Sequence, residues 1–258
     1  MRFVVAVKQV PDTMDVRTGD DGSIRRADAP AIMDPYSENA LMRILSIAGD
    51  GDEVIAVSMG PPHAEEVLRR CIGLGADKAY LLTDPDFAGS DTWATSRVLA
   101  AFIEKFVPDA DVYAFGRQAV DGDTGQVPSE VACLLGAQQF CYTTELAREG
   151  RDLSVKQDYG TFERECILPA GSVVSFAEAD ACGTLMSVEG YIRGAKTEIV
   201  KLGRVDLGLG LYSVGIKGSL TRIESSRTVK DGRRNMKIEI TDPKLAAEFI
   251  IKEARGKP

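Results

Sequence analysis

Histidine and tryptophan occur once each in this chain of 258 residues, as His63 and Trp93, and that scarcity already removes several functions. A Ser-His-Asp or Cys-His nucleophile would have to use His63. That residue follows Pro61 and Pro62 at a helix start with no nucleophile elbow nearby, so it reads as an exposed residue and Trp93 as a core one. Five cysteines, Cys71, Cys133, Cys141, Cys166 and Cys182, are an odd number with no C-x-x-C spacing, which argues against zinc ribbons, thioredoxin-like sites and cysteine-ligated clusters. Reduced, buried thiols and no metal site are expected instead. No Gly-Lys-Ser/Thr ends a glycine loop and no G-x-G-x-x-G occurs, which disfavours P-loop kinases and ordinary dinucleotide dehydrogenases. Long apolar runs are missing too. Phe3 to Val7 is too short for a signal peptide and is followed by Lys8 and Pro11, so a cytoplasmic protein without a membrane span is expected.

What is present is an ordinary globular composition, 44% hydrophobic and 27% charged, long enough to bury a full core. The net charge of −8 is uneven. Ser219 to Pro258 carries ten Lys and Arg against six Asp and Glu, leaving the preceding body near −12. An acidic body argues against nucleic acid as a partner. The basic tail suits an acidic protein surface or a solvated extension.

Short apolar runs at Val4–Val7, Val54–Val57, Ala79–Leu82 and Val112–Phe115 read as strands buried on both faces. Helical spacing lies between them, over Glu38–Ile47, about 64–74, and from Asp91 onward. This alternation predicts an α/β fold, a doubly wound parallel sheet with helices on both faces. Asp15 to Arg26 reads as a hairpin insertion. Past Gly136, Leu153–Gln157, Thr161–Ile167 and Ser172–Phe176 add a β-hairpin region, and the glycine-rich stretch 203–218 leads into an extended C-terminal arm that ends in a helix capped by Asp242 with Pro243 first. The domain reading is a nucleotide-binding body, 1–218, and an arm, 219–258.

The most informative segment is Gly116-Arg117-Gln118-Ala119-Val120-Asp121-Gly122-Asp123-Thr124-Gly125-Gln126, between the run Val112–Phe115 and a helix beginning at Val127. A strand, a glycine-bearing loop and a helix start in that order form a candidate phosphate cradle. Gly116, Gly122 and Gly125 are expected to give close backbone approach and positive φ. Asp121 and Asp123 fit the task of orienting backbone N–H groups better than a metal or acid-base couple. An ordinary surface loop is the alternative. In open α/β sheets ligands sit beyond the strand carboxyl ends, so Ala6, Ser58-Met59 and this loop can converge on one nucleotide.

Taken together these residues resemble the β subunit of an electron transfer flavoprotein. The resemblance rests on Val4-Val-Ala-Val-Lys8 with Pro11-Asp12, Met33-Asp-Pro-Tyr36, Val54-Ile-Ala-Val-Ser-Met-Gly60, Gly73-Leu-Gly-Ala-Asp77 and above all Gly116-Arg-Gln-Ala-Val-Asp121 with Gln126. It implies a non-catalytic electron carrier paired with an α subunit that holds most of an FAD site, with AMP, or a second FAD in the electron-bifurcating branch, in this chain. Ala6, Asp34, Pro35, Tyr36, Ser37, Met59 and residues 116–127, ending at Val127, would line that pocket. Leu185, Met186, Val188 and Tyr191 would meet a flavin-dependent dehydrogenase. Asp34 stands where the family often has asparagine, the segment from Ala179 to Gly190 lacks the usual Asn-Glu-Pro-Arg run, and Pro128-Ser129 replaces the Gly-Pro of the bifurcating branch. Two other readings of the pocket remain: an adenine-nucleotide sensor, and an adenylating or ATP-hydrolysing enzyme, which would need phosphate-directed cations beyond Arg117.

Overall fold

The computed structural model describes residues 1–12, 31–178, 184–222 and 242–255. In chain order the elements are β1 (Arg2–Ala6), β2 (Gln9–Pro11), β3 (Ala31–Met33), α1 (Pro35–Ile47), β4 (Glu53–Met59), α2 (Glu65–Leu74), β5 (Lys78–Leu82), α3 (Thr92–Phe106), β6 (Val112–Gly116) and α4 (Val127–Leu135). They continue with β7 (Gln139–Glu149), β8 (Asp152–Asp158), β9 (Glu163–Ile167), β10 (Ser172–Phe176), α5 (Val188–Lys196), β11 (Val200–Leu202), α6 (Gly215–Gly218) and α7 (Pro243–Arg255). The expected hairpin at Asp15 to Arg26 and Cys182 lie outside the described residues.

One nine-stranded sheet, in the order β11-β5-β4-β1-β6-β10-β7-β8-β9, carries the fold. Pairing is parallel from β11 through β7, and β7, β8 and β9 then run antiparallel. The expected hairpin of the strands before and after Tyr159 is therefore present as β8 and β9. The strand before it, β7, has no counterpart among the expected strands. The chain leaves β1 toward β4 and β5 and returns to β6 on the other side, so the switch in winding direction falls between β1 and β6. A crevice at the carboxyl ends of those two strands follows from that topology.

Alternate residues of each central strand feed two cores. Phe3, Val5 and Phe176 pack with Leu41, Ile44, Leu68 and Ile72 of α1 and α2, while Val4, Ile55 and Tyr113 pack with Phe102, Ile103 and Val131 of α3 and α4. Trp93, expected inside, is only half-buried, because it sits in the first turn of α3, where Ala94 takes the inward position. Of the thiols described, only Cys71 is buried; Cys133 is exposed and Cys141 and Cys166 are intermediate, which corrects the expectation of uniformly buried cysteines. No helix among the described residues is long and apolar enough to cross a membrane.

The stretch 203–218 has more to hold it than its glycines suggest. Arg204 N–H donates to Asp84 Oδ2 and its guanidinium to Asp86, and Gly215, at φ 59°, lies so close to Asp86 O that a Cβ there would collide with it. Asp91, the N-cap of α3, accepts from Ala94 N–H at 2.9 Å and also from Leu220 N–H, Thr221 N–H and Thr221 Oγ1 at 2.7–2.9 Å. Although burial pushes the Asp91 carboxyl up, the hydrogen bonds from Ala94, Thr221 and Leu220 hold it below the ordinary aspartate range. The chain divides into two compact units, Met1–Ser225 and Ser226–Pro258. Within the second, Asp242 accepts from Lys244 N–H and Ala246 N–H, capping α7 as its sequence predicts.

Candidate functional site

The crevice is assembled around the first turn of α1. Asp34 caps that helix: its buried carboxylate accepts from Ser37 N–H through Oδ2 and from Val120 N–H through Oδ1 at 2.9 Å. One side chain thus starts α1 and ties down the middle of the 116–126 loop. Desolvation raises the Asp34 carboxyl above its ordinary range, with the Val120 and Ser37 hydrogen bonds acting in the opposite sense. The loop-orienting role expected of Asp121 belongs to Asp34 instead. Asp121 pairs with Lys8 Nζ at 2.6 Å, and Asp123 accepts from Gln118 Nε2.

The glycines also divide differently from expectation. Gly125 has the anticipated positive φ, 64°, but the other left-handed residue of the loop is Asp123, at 54°. Gly116 is needed for close approach: a Cβ there would sit 2.6 Å from the carbonyl carbon of Tyr36. Gly122 needs no such freedom, since its φ is not positive and a methyl group added there would meet nothing within 4 Å.

Tyr36 carries Arg117. The guanidinium lies 5.1 Å from the ring centroid and donates to the Tyr36 hydroxyl at 3.1 Å. Its Nε is buried without an acceptor among the described residues, and so is Ser58 Oγ without a partner at the end of β4. The N–H groups of Val120, Gly122 and Asp123 are used by Asp34 and Ala119 O, whereas those from Thr124 to Val127, leading into α4, take no acceptor among the described residues. A buried cationic donor, a buried hydroxyl and a run of N–H groups at a helix start fit an anionic, hydrogen-bonding ligand. Ala6 pairs with Val57 and Phe115, placing it between these groups; Tyr36 and Ser37 lie against Gly116, and Pro35 opens α1 just before them. Gln126 accepts from Thr92 Oγ1, and Val127 O accepts from Ser96 Oγ. Met59 ends β4 and packs against the core on the α3 side.

Of the second set of expected residues, Leu185 and Met186 precede α5, and Val188 and Tyr191 lie in its first turn. Leu185, Val188 and Tyr191 are exposed, Leu185 at 93%, around a shallow cleft of about 460 Å³ that also reaches Arg70. Met186 lines the same cleft but is only half-exposed, with its thioether tucked against Gly73 of α2. Beneath the cleft α5 is held tightly: Gly190 and Gly194 bring its backbone against Gly73 and Arg69 of α2. Arg69 Nη1 donates to the carbonyls of Gly194, Ala195 and Thr197, and Arg193 donates to Ile72 O, so each helix supplies the arginine that satisfies the other's last carbonyls. Ser58, expected beside Met59 at the carboxyl end of its strand, is where the sequence places it. Lys8, Glu38 and Arg70 were not singled out by sequence reasoning, although Lys8 follows a buried strand at its carboxyl end and could have been.

Residues 21–198 match the family model described as electron transfer flavoprotein domain. Among curated relatives, the chain is 38% identical to the caffeyl-CoA reductase-Etf complex subunit CarD of Acetobacterium woodii, over 86% of both chains. It is 34% identical to the electron transfer flavoprotein subunit beta of Clostridium acetobutylicum, over 99% of this chain and 98% of that one. It is 32% identical to the acryloyl-CoA reductase electron transfer subunit gamma of Anaerotignum propionicum, over 98% and 97%.

Proposed function

Since the chain belongs to the electron transfer flavoprotein family, we propose that it is the β-type subunit of a heterodimeric electron carrier, passing electrons between a flavin-dependent dehydrogenase and an acceptor without performing chemistry on a substrate of its own. The observation that carries the nucleotide half of this reading is Arg117, a guanidinium laid on Tyr36 with a buried donor left over, beside the N–H groups that open α4. Arg117, the loop from Gln118 to Gln126 and Ser58 would hold a phosphate-bearing adenine nucleotide, with Ala6 and residues 34–37 walling its other side. When bound, a flavin supplies the electron-accepting ring, and the protein supplies its position and surroundings.

Of the two nucleotides considered, a second FAD is favoured over AMP in this chain, with the principal FAD shared with or held mainly by the α subunit. Arg117 offers a planar, bidentate cation suited to a diphosphate, and Gly122 leaves open space at the loop's outer edge. Pro128 removes one N–H from the first turn of α4, which weighs against it modestly. The flavin count per heterodimer reconstituted with excess FAD decides the matter. Two flavins support the bifurcating arrangement, and one flavin with one AMP leaves a simple carrier. Leu185, Met186, Val188 and Tyr191 form the dehydrogenase-facing surface in this reading, and residues 219–258 the arm that embraces the α subunit.

A further inference from the structure

Exposed Val188 and Tyr191 lie on α5, whose backbone α2 holds, whereas exposed Leu185 lies on the chain leading into that helix, and that chain is fixed from a different place. Thr184, immediately before Leu185, donates its N–H to Glu38 Oε1 at 3.0 Å, and its carbonyl accepts from Arg70 Nη2 at 2.7 Å. Arg70 Nη2 also reaches Glu38 Oε1 at 2.7 Å, so one residue's backbone is clamped by an acid and a base that hold each other. Glu38 is 3% exposed. Burying a carboxylate is costly unless it is paired and hydrogen-bonded; here Arg70 of α2 supplies the charge, and Thr184 N–H, at the approach to the exposed segment, supplies a hydrogen bond.

Glu38 lies one turn after Asp34 on α1, and its own N–H donates to Asp34 O at 2.9 Å. Asp34 holds Val120 of the nucleotide loop. The next residue, Asn39, donates to Glu178 O at 2.8 Å, so α1 also grips the chain as it leaves β10. We infer that Glu38 is a positioning residue: it fixes the dehydrogenase-facing segment from the same helical turn that fixes the nucleotide loop, setting the separation between docked partner and bound nucleotide. The inference rests on the reading of Leu185, Val188 and Tyr191 as a docking surface.

Amide exchange on the full chain, in complex with its α-type partner, tests it. Glu38→Ala should speed exchange across 184–191 by about tenfold or more, as local opening without global unfolding does, and leave nucleotide content unchanged. Glu38→Gln keeps an oxygen for Thr184 N–H and should recover most of that protection. With the cognate dehydrogenase as electron donor, Glu38→Ala should raise KM for the flavoprotein about fivefold while kcat stays within about twofold. Exchange rates in 184–191 equal to the unmodified protein's would overturn the inference. So would an unchanged KM in Glu38→Ala when the Leu185/Val188/Tyr191 triple alanine variant raises it. If instead the triple variant leaves KM unchanged, the docking reading fails, and the exchange data still decide what Glu38 holds. Arg70→Ala, which removes the other arm of the clamp from a partly exposed position, gives the same readout should Glu38→Ala fold poorly.

Discussion

Asp34 does two jobs with one buried carboxylate, and its ionisation makes those jobs depend on pH. Because burial raises its folded-state pKa above the unfolded value, the folded form holds the proton more tightly. Its contribution to stability is therefore full below about pH 4, where an unfolded aspartate protonates, and declines as pH rises through the higher folded value. Asp34→Asn keeps an acceptor for Val120 N–H, loses the second oxygen that Ser37 N–H uses, and cannot ionise. Its thermal midpoint relative to the parent protein's should therefore rise from acid toward neutral pH, on top of a fixed loss from the missing cap; a constant difference across that range would show that Asp34 is not the titrating group. The glycines of the loop give a sharper contrast. Gly116→Ala drives a methyl into the Tyr36 backbone and should abolish nucleotide retention, whereas Gly122→Ala should leave it unchanged. Gly125→Val lies between, forced into a left-handed conformation at a cost of about 1–3 kcal/mol, and should lower nucleotide occupancy measurably by absorbance of the released cofactor.

Among elements, the pairing of α2 with α5 shows what a sequence hides. Gly190-x-x-x-Gly194 looks like a poor helix, since glycine costs about 1 kcal/mol relative to alanine in a helix interior, yet it is helical because the two backbones must touch. Gly190→Ala should therefore destabilise by about 1–3 kcal/mol through overpacking, read as a shift in denaturant midpoint, although alanine is the better helix former. A stabilised variant would mean the contact is looser than described. The same reasoning explains which elements were legible. β4, β6 and β10 are buried on both faces and announce themselves as apolar runs. β7 did not, because past Phe140 it is a half-exposed strand of Thr, Glu and Arg, broken in register between Thr143 and Glu145. In the site, the glycine loop was legible from its composition. That Asp34 orients the loop, with Asp121 paired to Lys8, was not legible, because only the fold places α1 under β6.

At the scale of the whole molecule, assembly and nucleotide binding are expected to separate. Ser219 to Thr221 are hooked onto Asp91 and belong with the body, so truncation after Arg222 removes the basic arm without disturbing that anchor. Such a truncation should weaken co-purification with the α-type partner by well over tenfold in affinity, given obligate interfaces of more than about 2,000 Å², while the nucleotide loop keeps its structure. Equal co-purification of full-length and truncated chains would assign the interface elsewhere.

The two margins of the sheet carry a different consequence. On one side it ends in β11, three residues long, and on the other in β9, where Glu163, Arg164 and Glu165 stand exposed in succession. A neighbouring molecule trying to extend the sheet would find too few free hydrogen-bonding groups at the first margin and a row of charges to desolvate at the second. Strand-by-strand growth into fibres is disfavoured at both, so the protein, while it stays folded, should not assemble through its sheet edges even in a crowded solution.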